Sequence, residues 1–237
     1  MASETYPPKP ITNIWRPERT QLPPLNPGRR LFRRIAHLLA RFILAVLTRP
    51  TISGLEHLPA PGPALLAVNH LGDADAAILL AAFPTGPEVL AKIEMLDFPI
   101  VGRLMDWYGC IWLHRGRPDR RALRCALDAF EAGRSVIVAP EGRYTLAHGL
   151  EPGGKGAAYL AHQAGVPVIP LALTGTQNDN VYGSLRRLQR PRISLRVGEP
   201  VMLARGEVGR AALEADTGRI MHSLASLLPE EYRGAYR

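Results

Sequence analysis

The sequence predicts an α/β fold: a single domain with a mostly parallel central sheet flanked by helices. Two observations lead to this prediction. From residue 64 onward, short apolar runs alternate with longer segments of helical periodicity, which is the order of parallel strands joined by helices. Hydrophobic residues make up 46% of the 237 residues, enough for one sizeable core. An extended Pro-rich N-terminal arm and an N-terminal amphipathic helix are expected to precede this domain.

Residues 1–28 are predicted to form the extended arm. The first 27 residues are mostly polar and include seven prolines, so they lack the apolar surface that a core requires. We therefore expect a poorly ordered segment. The sequence does not open with an apolar run of the kind found in secretory signal peptides, and a cytoplasmic location is expected.

Residues 29–49 are predicted to form a basic amphipathic helix, because they include six arginines and no acidic residue. Two sets of residues recur at helical spacing on different sides: an apolar set, Leu31, Ile35, Leu38, Phe42 and Val46, and a basic set, Arg33, His37 and Arg41. The apolar runs are too short to span a bilayer. The helix therefore either lies on an anionic membrane surface or packs its apolar set on its own domain. The sequence leaves both alternatives open.

The domain, residues 50–237, is predicted to contain six strands and five further helices. Most of these strands are short, largely apolar runs, as expected for a sheet covered on both faces. The predicted strands are residues 64–69, 88–92, 109–114, 135–139, 168–173 and 193–197, and the predicted helices are residues 75–83, 98–107, 118–132, 156–164 and 207–228. Asp73 and Asp75 mark the start of the first of these helices, because carboxylates are favoured there.

The net charge of +8 and the isoelectric point near 10.0 predict a surface that attracts anions. Phosphate-bearing small molecules, an acidic carrier protein, anionic lipid and nucleic acid all fit this charge. Nucleic acid is not an expected partner, because the sequence has no helix-turn-helix or aromatic-rich signature. Cys110 and Cys125 lack metal-ligand spacing, so neither a metal nor another cofactor is expected.

Motif chemistry also argues against two classes of enzyme. Residues 149–155 match the G-x4-G-K pattern of a P-loop, but Gly156 stands where a magnesium-binding Ser or Thr belongs. A nucleotide triphosphatase is therefore not expected. The sequence has no G-x-S-x-G nucleophile elbow, so a serine acyl-enzyme is not expected either.

A histidine and an aspartate at a strand-to-helix junction are the candidate catalytic pair. His70 follows the predicted strand 64–69, and Asp75 lies five residues later in the first turn of the next helix. A carboxylate there can fix the imidazole tautomer and stabilise the imidazolium, which indicates a general base. Helix capping by Asp73 and Asp75 explains the same pattern. Asp73 also competes with Asp75 as the partner of His70.

Polar residues follow several other predicted strands: Arg115, Glu141 and Thr174. Because ligands of parallel sheets bind at the carboxyl ends of strands, we expect these residues to converge with His70 on one site.

Five residues are candidates for substrate binding at that site: Arg115, Glu141, Gly142, Arg143 and Lys155. The two arginines have the fork of donors that grips phosphate. Glu141 is expected to bind a hydroxyl or to hold one of the arginines, and Gly142 allows close backbone approach. Lys155, at the start of a helix, adds positive charge near an anion.

Four blocks in this order resemble the glycerolipid acyltransferase family, whose best-known members are 1-acylglycerol-3-phosphate O-acyltransferases. Asn69-His70 with Asp75 is similar to the family's N-H-x4-D block, and residues 109–115 to its second block, which ends in an arginine. Residues 140–142 are similar to its P-E-G block, and residues 166–170 with Gly175 to its V-P-(V/I)-(I/V)-P block. The resemblance spans roughly residues 50–200.

The resemblance implies transfer of a fatty acyl group from acyl-CoA or acyl carrier protein to a lysophospholipid or glycerophosphate hydroxyl. His70 would be the base and Asp75 its partner, and Arg115, Glu141 and Gly142 would belong to the acceptor-binding region. Backbone N–H groups around the P-E-G turn are expected to stabilise the oxyanion. The family's habit of peripheral membrane attachment implies that the basic helix binds an anionic membrane at its cytoplasmic face.

The chain departs from the family pattern in one block that bears on the acceptor. The third block usually reads P-E-G-T-R-S, whereas Arg143 directly follows Gly142 here and Tyr144 occupies the arginine position. An acyltransferase for an amino-lipid or glycolipid acceptor therefore remains an alternative. A lipid-binding relative without catalytic activity is a second alternative.

Overall fold

The computed structural model describes residues 6–58, 62–84, 86–116, 118–145, 149–206 and 208–237. The strands are β1 (Arg49–Ser53), β2 (Leu65–Val68), β3 (Glu88–Lys92), β4 (Ile111–Leu113), β5 (Val136–Val138), β6 (Val168–Thr174) and β7 (Arg192–Val197). The helices are α1 (Pro27–Leu47), α2 (Ala74–Ala82), α3 (Val101–Tyr108), α4 (Arg120–Glu131), α5 (Gly156–Ala164), α6 (Asn178–Arg186) and α7 (Arg210–Ser226).

The seven strands form one sheet in the order β1-β7-β6-β2-β5-β3-β4. All neighbouring strands pair in parallel except β6 and β7, which are antiparallel. The prediction of an α/β domain with a mostly parallel sheet is confirmed. In the sheet, β2 lies at the centre and pairs with β5 on one side and β6 on the other.

Both faces of the sheet are covered, as the apolar strands require. Successive side chains of a strand point to opposite faces. In β2, Leu66 and Val68 join the cluster beneath α1 and α2, while Leu65 and Ala67 join the cluster beneath α4, α5 and α7. All four side chains are at most 3% exposed.

Two elements do not appear among the predicted ones. The edge strand β1 has the sequence RPTIS, with four of five residues exposed, so it lacks an apolar run. Helix α6 has the sequence NDNVYGSLR, whose Asn, Asp and Gly residues favour turns over helices. The predicted helix 207–228 exists as α7, and its expected first residue, Glu207, lies outside the described residues.

Helix α1 is oriented with its apolar set away from the domain. Its buried residues are Arg33, Ala40 and Leu44, which form a narrow stripe against the body of the domain. The apolar set is 51–66% exposed: Leu31, Ile35, Leu38, Phe42 and Val46. The alternative that this set packs on its own domain is therefore wrong. The physical reason is that the helix contacts the domain through Arg33, Ala40 and Leu44, which lie on a different side from this set.

Arg33 makes this contact through a buried ion pair with Glu88 of β3. Its two terminal nitrogens donate to the two carboxylate oxygens at 3.0 and 2.8 Å, and its Nε donates to the carbonyl of Tyr108 at 2.9 Å. The guanidinium also lies 4.5 Å from the centre of the Tyr108 ring. No helix among the described residues is both long and apolar enough to cross a membrane.

Candidate active site

The predicted His70–Asp75 pair is present in the structure. The chain leaves β2 at Val68, and α2 begins at Ala74, so the two side chains face each other across one tight turn. His70 Nδ1 and Asp75 Oδ2 are 2.7 Å apart. The same oxygen accepts the backbone N–H groups of Leu71 and Gly72 at 2.7 and 3.1 Å. Asp75 therefore both caps the turn and orients the histidine, so the two interpretations of the motif are compatible.

The pair has the exposure that a general base and its partner need. The Asp75 side chain is 2% exposed, whereas the His70 side chain is 35% exposed. With Nδ1–H donated to the carboxylate, Nε2 carries the lone pair. Within the described parts of the chain, Nε2 makes no hydrogen bond, so it is available to accept a proton from a substrate.

Asn69 fixes the end of strand β2. Its side-chain amide donates to the carbonyl of Leu173 at 3.0 Å and its side-chain oxygen accepts the Leu173 N–H at 2.7 Å. The side chain thus extends the pairing with β6 by one step beyond the backbone ladder. This explains the asparagine before His70 as a positioning element.

Asp73 does not compete for His70. Its Oδ1 accepts the hydroxyl of Tyr144 at 2.9 Å, and its Oδ2 accepts the hydroxyl of Tyr182 on α6, also at 2.9 Å. Burial and the neighbouring Asp73 raise the pKa of Tyr144, so its phenol stays protonated and donates. Of the two aspartates that the spacing allows as the partner of His70, the structure shows Asp75.

Glu141 joins three segments of the site. It is fully buried and accepts the His70 N–H at 3.3 Å, the Thr145 hydroxyl at 2.9 Å and the Glu151 N–H at 2.9 Å. Burial raises the pKa of Glu141 to about 7, against the opposing effect of these hydrogen bonds. The expected contact with an arginine is not present, because the carboxylate oxygens bind these other donors.

Gly142 forms the tip of the turn that follows β5. Its φ of +74° is a conformation that a residue with a side chain adopts only with strain, and the space beside its Cα is open. Its N–H donates to the carbonyl of Ala139 at 3.0 Å. The expectation that backbone N–H groups of this turn serve an oxyanion therefore does not hold for Gly142, whose N–H closes the turn.

The two candidate phosphate-binding arginines differ in availability. Arg143 is buried, and its guanidinium binds Glu151 at 2.6 and 2.7 Å and the carbonyl of Pro8 at 3.1 Å. Arg115 is partly exposed and binds Glu94 at 3.2 Å, while its buried Nε has no hydrogen-bond partner among the described residues. Of the two, Arg115 retains an unsatisfied donor.

Lys155 is engaged by an acidic residue of another helix. Its ammonium forms an ion pair with Glu214 on α7, and the side chain of Lys155 is 39% exposed. His70 and the turn at residues 141–143 follow the adjacent strands β2 and β5, whereas Arg115 follows the edge strand β4, and β3 lies between β5 and β4. Glu94 follows β3, the strand between β5 and β4, and forms an ion pair with Arg115; it was not predicted from the sequence.

The H-x4-D spacing occurs a second time, at His114 and Asp119, and sequence reasoning missed it. His114 Nδ1 lies 2.9 Å from Asp119 Oδ2, and Asp119 also caps α4. Here, however, the His114 side chain is 4% exposed and its Nε2 accepts the backbone N–H of Arg16 at 3.0 Å. This pair therefore cannot act on a substrate in the observed conformation.

The N-terminal arm lies along the domain from Tyr6 onward, and residues 1–5 lie outside the described chain. The Thr12 N–H donates to the carbonyl of Arg115 at 3.0 Å, and the Thr12 hydroxyl lies between the Arg115 N–H at 2.7 Å and the Glu94 carboxylate at 3.0 Å. Lys9 donates to the carbonyl of Pro152 at 3.2 Å. The arm thus contacts the segments that carry both candidate arginines.

Comparison with known proteins places this geometry in a family. A family model described as Acyltransferase matches residues 49–174, more than half of the chain. The chain belongs to the Acyltransferase family. The match covers His70, Asp75 and the candidate residues 115 and 141–143, whereas the arm, α1 and α6 lie outside it. The resemblance to glycerolipid acyltransferases is confirmed.

Relatives of this acyltransferase chain include a chloroplastic 1-acyl-sn-glycerol-3-phosphate acyltransferase of Brassica napus, 28% identical over 71% of this chain and 51% of the relative. A probable 1-acyl-sn-glycerol-3-phosphate acyltransferase of Mycoplasma pneumoniae is 26% identical over 68% of this chain and 62% of that protein. The chain spans about half the length of the first of these relatives.

The fold has a solved counterpart. The crystal structure of the 1-acyl-sn-glycerophosphate acyltransferase PlsC from Thermotoga maritima superimposes with a TM-score of 0.64, at 21% identity, over 84% of this chain and 79% of that one. This likeness confirms the α/β architecture of the acyltransferase chain.

Proposed function

We propose that the protein transfers a fatty acyl group from acyl-CoA or acyl carrier protein to the free hydroxyl of a 1-acylglycerol 3-phosphate, a step of phospholipid biosynthesis. The observation that carries the proposal is the His70–Asp75 pair, with its available Nε2, in a member of the Acyltransferase family. The relatives in Brassica napus and Mycoplasma pneumoniae are named for this activity.

The proposed reaction is direct transfer without an acylated protein group. His70 Nε2 takes the proton of the acceptor hydroxyl as its oxygen attacks the thioester carbonyl, and Asp75 stabilises the imidazolium that forms. When the tetrahedral intermediate collapses, the C–S bond breaks and the ester forms. The departing thiolate recovers the proton from His70, which returns the base to its neutral form.

The acceptor phosphate is proposed to bind at Arg115, whose buried Nε has no hydrogen-bond partner in the part of the chain that the structure describes. Glu141 and Gly142 shape the turn beside His70, and this turn separates the base from the arginine along the strand ends. Arg143 and Lys155, which are held by Glu151 and Glu214, contribute positive potential rather than direct contact.

A membrane surface is the proposed location, at its cytoplasmic face. Beside the exposed apolar set of α1 lies a second group of exposed apolar side chains, on α3 and in the residues just before it: Phe98, Ile100, Val101, Leu104 and Trp107. Phe32 and Trp107 join the two helices through an edge contact with ring centres 5.9 Å apart. Exposed Arg30, Arg34 and Arg41 accompany this surface, and an apolar surface with basic residues suits an anionic bilayer.

Purified protein should be offered labelled acyl-CoA or acyl carrier protein with a panel of acceptors: lysophosphatidic acid, glycerol 3-phosphate, lysophosphatidylcholine and monoacylglycerol. Labelled phosphatidic acid is the expected product. His70→Ala and Asp75→Asn should abolish most transfer. Full activity of His70→Ala would overturn the mechanism and favour a lipid-binding protein with a background reaction.

One observation favours a second candidate function, acylation of a different polar lipid. Tyr144 and Asp73 stand beside His70, where the family's third block usually carries an arginine. Beside a phenol and a carboxylate, a neutral or amine-bearing acceptor is better accommodated than a phosphate-bearing acceptor. The same assay decides, because an amino-lipid or glycolipid added to the panel would then be the preferred acceptor.

A further inference from the structure

The His70 ring has a second contact besides its hydrogen bond to Asp75. One hydrogen bond at Nδ1, 2.7 Å from Asp75 Oδ2, restrains that nitrogen but does not by itself fix both side-chain torsions of His70. Tyr144 packs against this ring, with the ring centres 4.1 Å apart and the planes inclined by 60°. The tyrosine therefore blocks the remaining motion of the imidazole.

Tyr144 is itself held at its far end by a carboxylate. Its hydroxyl donates to Asp73 Oδ1, and the other oxygen of Asp73 accepts the hydroxyl of Tyr182 on α6. The backbone N–H of Asp73 donates to the side chain of Asn178 at 2.8 Å. Asn178 and Tyr182 are one helical turn apart, so α6 holds Asp73 at two points.

The backbone of the Tyr144 loop is tied to His70 as well. The Thr145 N–H donates to the carbonyl of His70 at 2.7 Å, and the Thr145 hydroxyl donates to Glu141. The ring and the backbone beside it are thus fixed by separate contacts. A change confined to the Tyr144 side chain will therefore remove the ring contact while the loop stays in place.

We propose that Tyr144 is a positioning residue for His70 and that Asp73 and Tyr182 support it. This inference rests on the proposed acyl transfer and adds α6, which lies outside the family match, to the apparatus that directs the base. Tyr144 holds the imidazole so that Nε2 faces the acceptor hydroxyl when the thioester arrives. Misplacing a reacting group by about 1 Å costs on the order of 100-fold in rate.

The kinetic test measures kcat and the KM of donor and of acceptor for four variants, with the concentration of each substrate varied in turn. Tyr144→Ala should lower kcat by about 10- to 100-fold with little change in either KM, because orientation and not binding is lost. Tyr144→Phe keeps the ring but loses its hydrogen bond to Asp73, and Tyr182→Phe removes only the hydrogen bond from α6 to Asp73. Both should lower kcat by less than Tyr144→Ala. Tyr159→Phe, a partly exposed tyrosine on α5, is the matched control and should match wild type.

A second measurement does not depend on activity. The side-chain NMR signals of His70, assigned by their loss in His70→Gln, should report one ordered imidazole in wild type and a mobile ring in Tyr144→Ala. Tyr144→Ser, which also removes the ring, serves if the alanine variant does not fold. An unchanged kcat and an ordered ring in either folded variant would overturn the proposal, as would a loss that falls in acceptor KM alone. If wild type acylates none of the acceptors, the proposed function fails and the NMR result still decides this inference.

Discussion

Replacing Arg33 by methionine should destabilise the protein and loosen α1. The Arg33 and Glu88 side chains are 3% and 1% exposed, so the substitution leaves a buried carboxylate that has lost two short hydrogen bonds. The remaining cation near Glu88 is Arg134, at 3.5 Å and on a partly exposed side chain. Removing one partner of a buried pair costs about 3–5 kcal/mol. For a domain of this size the midpoint of thermal unfolding should fall by roughly 6–20 °C.

The assay is thermal unfolding followed by circular dichroism, at one scan rate for all variants. Arg34→Met is the matched control, because Arg34 is the exposed neighbour and surface changes stay within about 0.5 kcal/mol. The double variant Arg33→Met with Glu88→Leu should recover most of the loss, since no buried charge remains. A single variant that unfolds together with the control would refute the reasoning.

Three further predictions concern the site and the membrane surface. Asp75→Asn should lower kcat by about 10²- to 10⁴-fold in steady-state assays, because an amide that donates to His70 Nδ1 holds the wrong tautomer. Folded Glu141 keeps its proton up to about pH 7, whereas the unfolded chain releases it near pH 4.5. The free energy of unfolding should therefore fall by about 3 kcal/mol as the pH rises from 4.5 to 7. Urea titrations measure it. Phe42→Asp should reduce flotation with anionic liposomes, because Phe42 is 66% exposed on the apolar set.

Each of these has its own control. For Asp75→Asn, an unchanged far-ultraviolet spectrum separates a catalytic effect from unfolding, and near-normal kcat would contradict the role of the pair. Glu141→Gln should flatten the stability profile in that pH range, and an identical slope would assign it to another group. For Phe42→Asp the control is Leu188→Asp, which changes a side chain that lies outside α1 and is 96% exposed. The Leu188→Asp variant should float with liposomes as wild type does. Equal flotation of the Phe42→Asp and Leu188→Asp variants would show that α1 does not contact the membrane.

Much of the fold was predictable because each central strand is apolar on both faces. The apolar residues of β2, β5 and β6 can be buried on both faces only in a sheet that is covered on both sides. Edge strand β1 and helix α6 could not be found in this way. Their residues are polar or exposed, and they form because their neighbours β7 and the Asp73 loop bind them.

The site was predictable where its partners are close in sequence and unpredictable where they are distant. The spacing of His70 and Asp75 places them one turn apart, and the structure brings them together. The partner of Lys155 lies 59 residues away, and Thr12 meets Glu94 across 82 residues. Spacing also cannot separate His70 from His114, because the difference is the arm residue that covers one of them.

The central place of β2 has a consequence for how the protein opens. The amides of Leu65–Val68 lie between β5 and β6, so their exchange with solvent deuterium should require global unfolding. The arm is held by a few hydrogen bonds and ion pairs at the domain surface, and its amides should exchange through small local openings. Access to the proposed acceptor site at Arg115 would thus require only a local opening of the arm, while β2, the strand that precedes His70, stays closed.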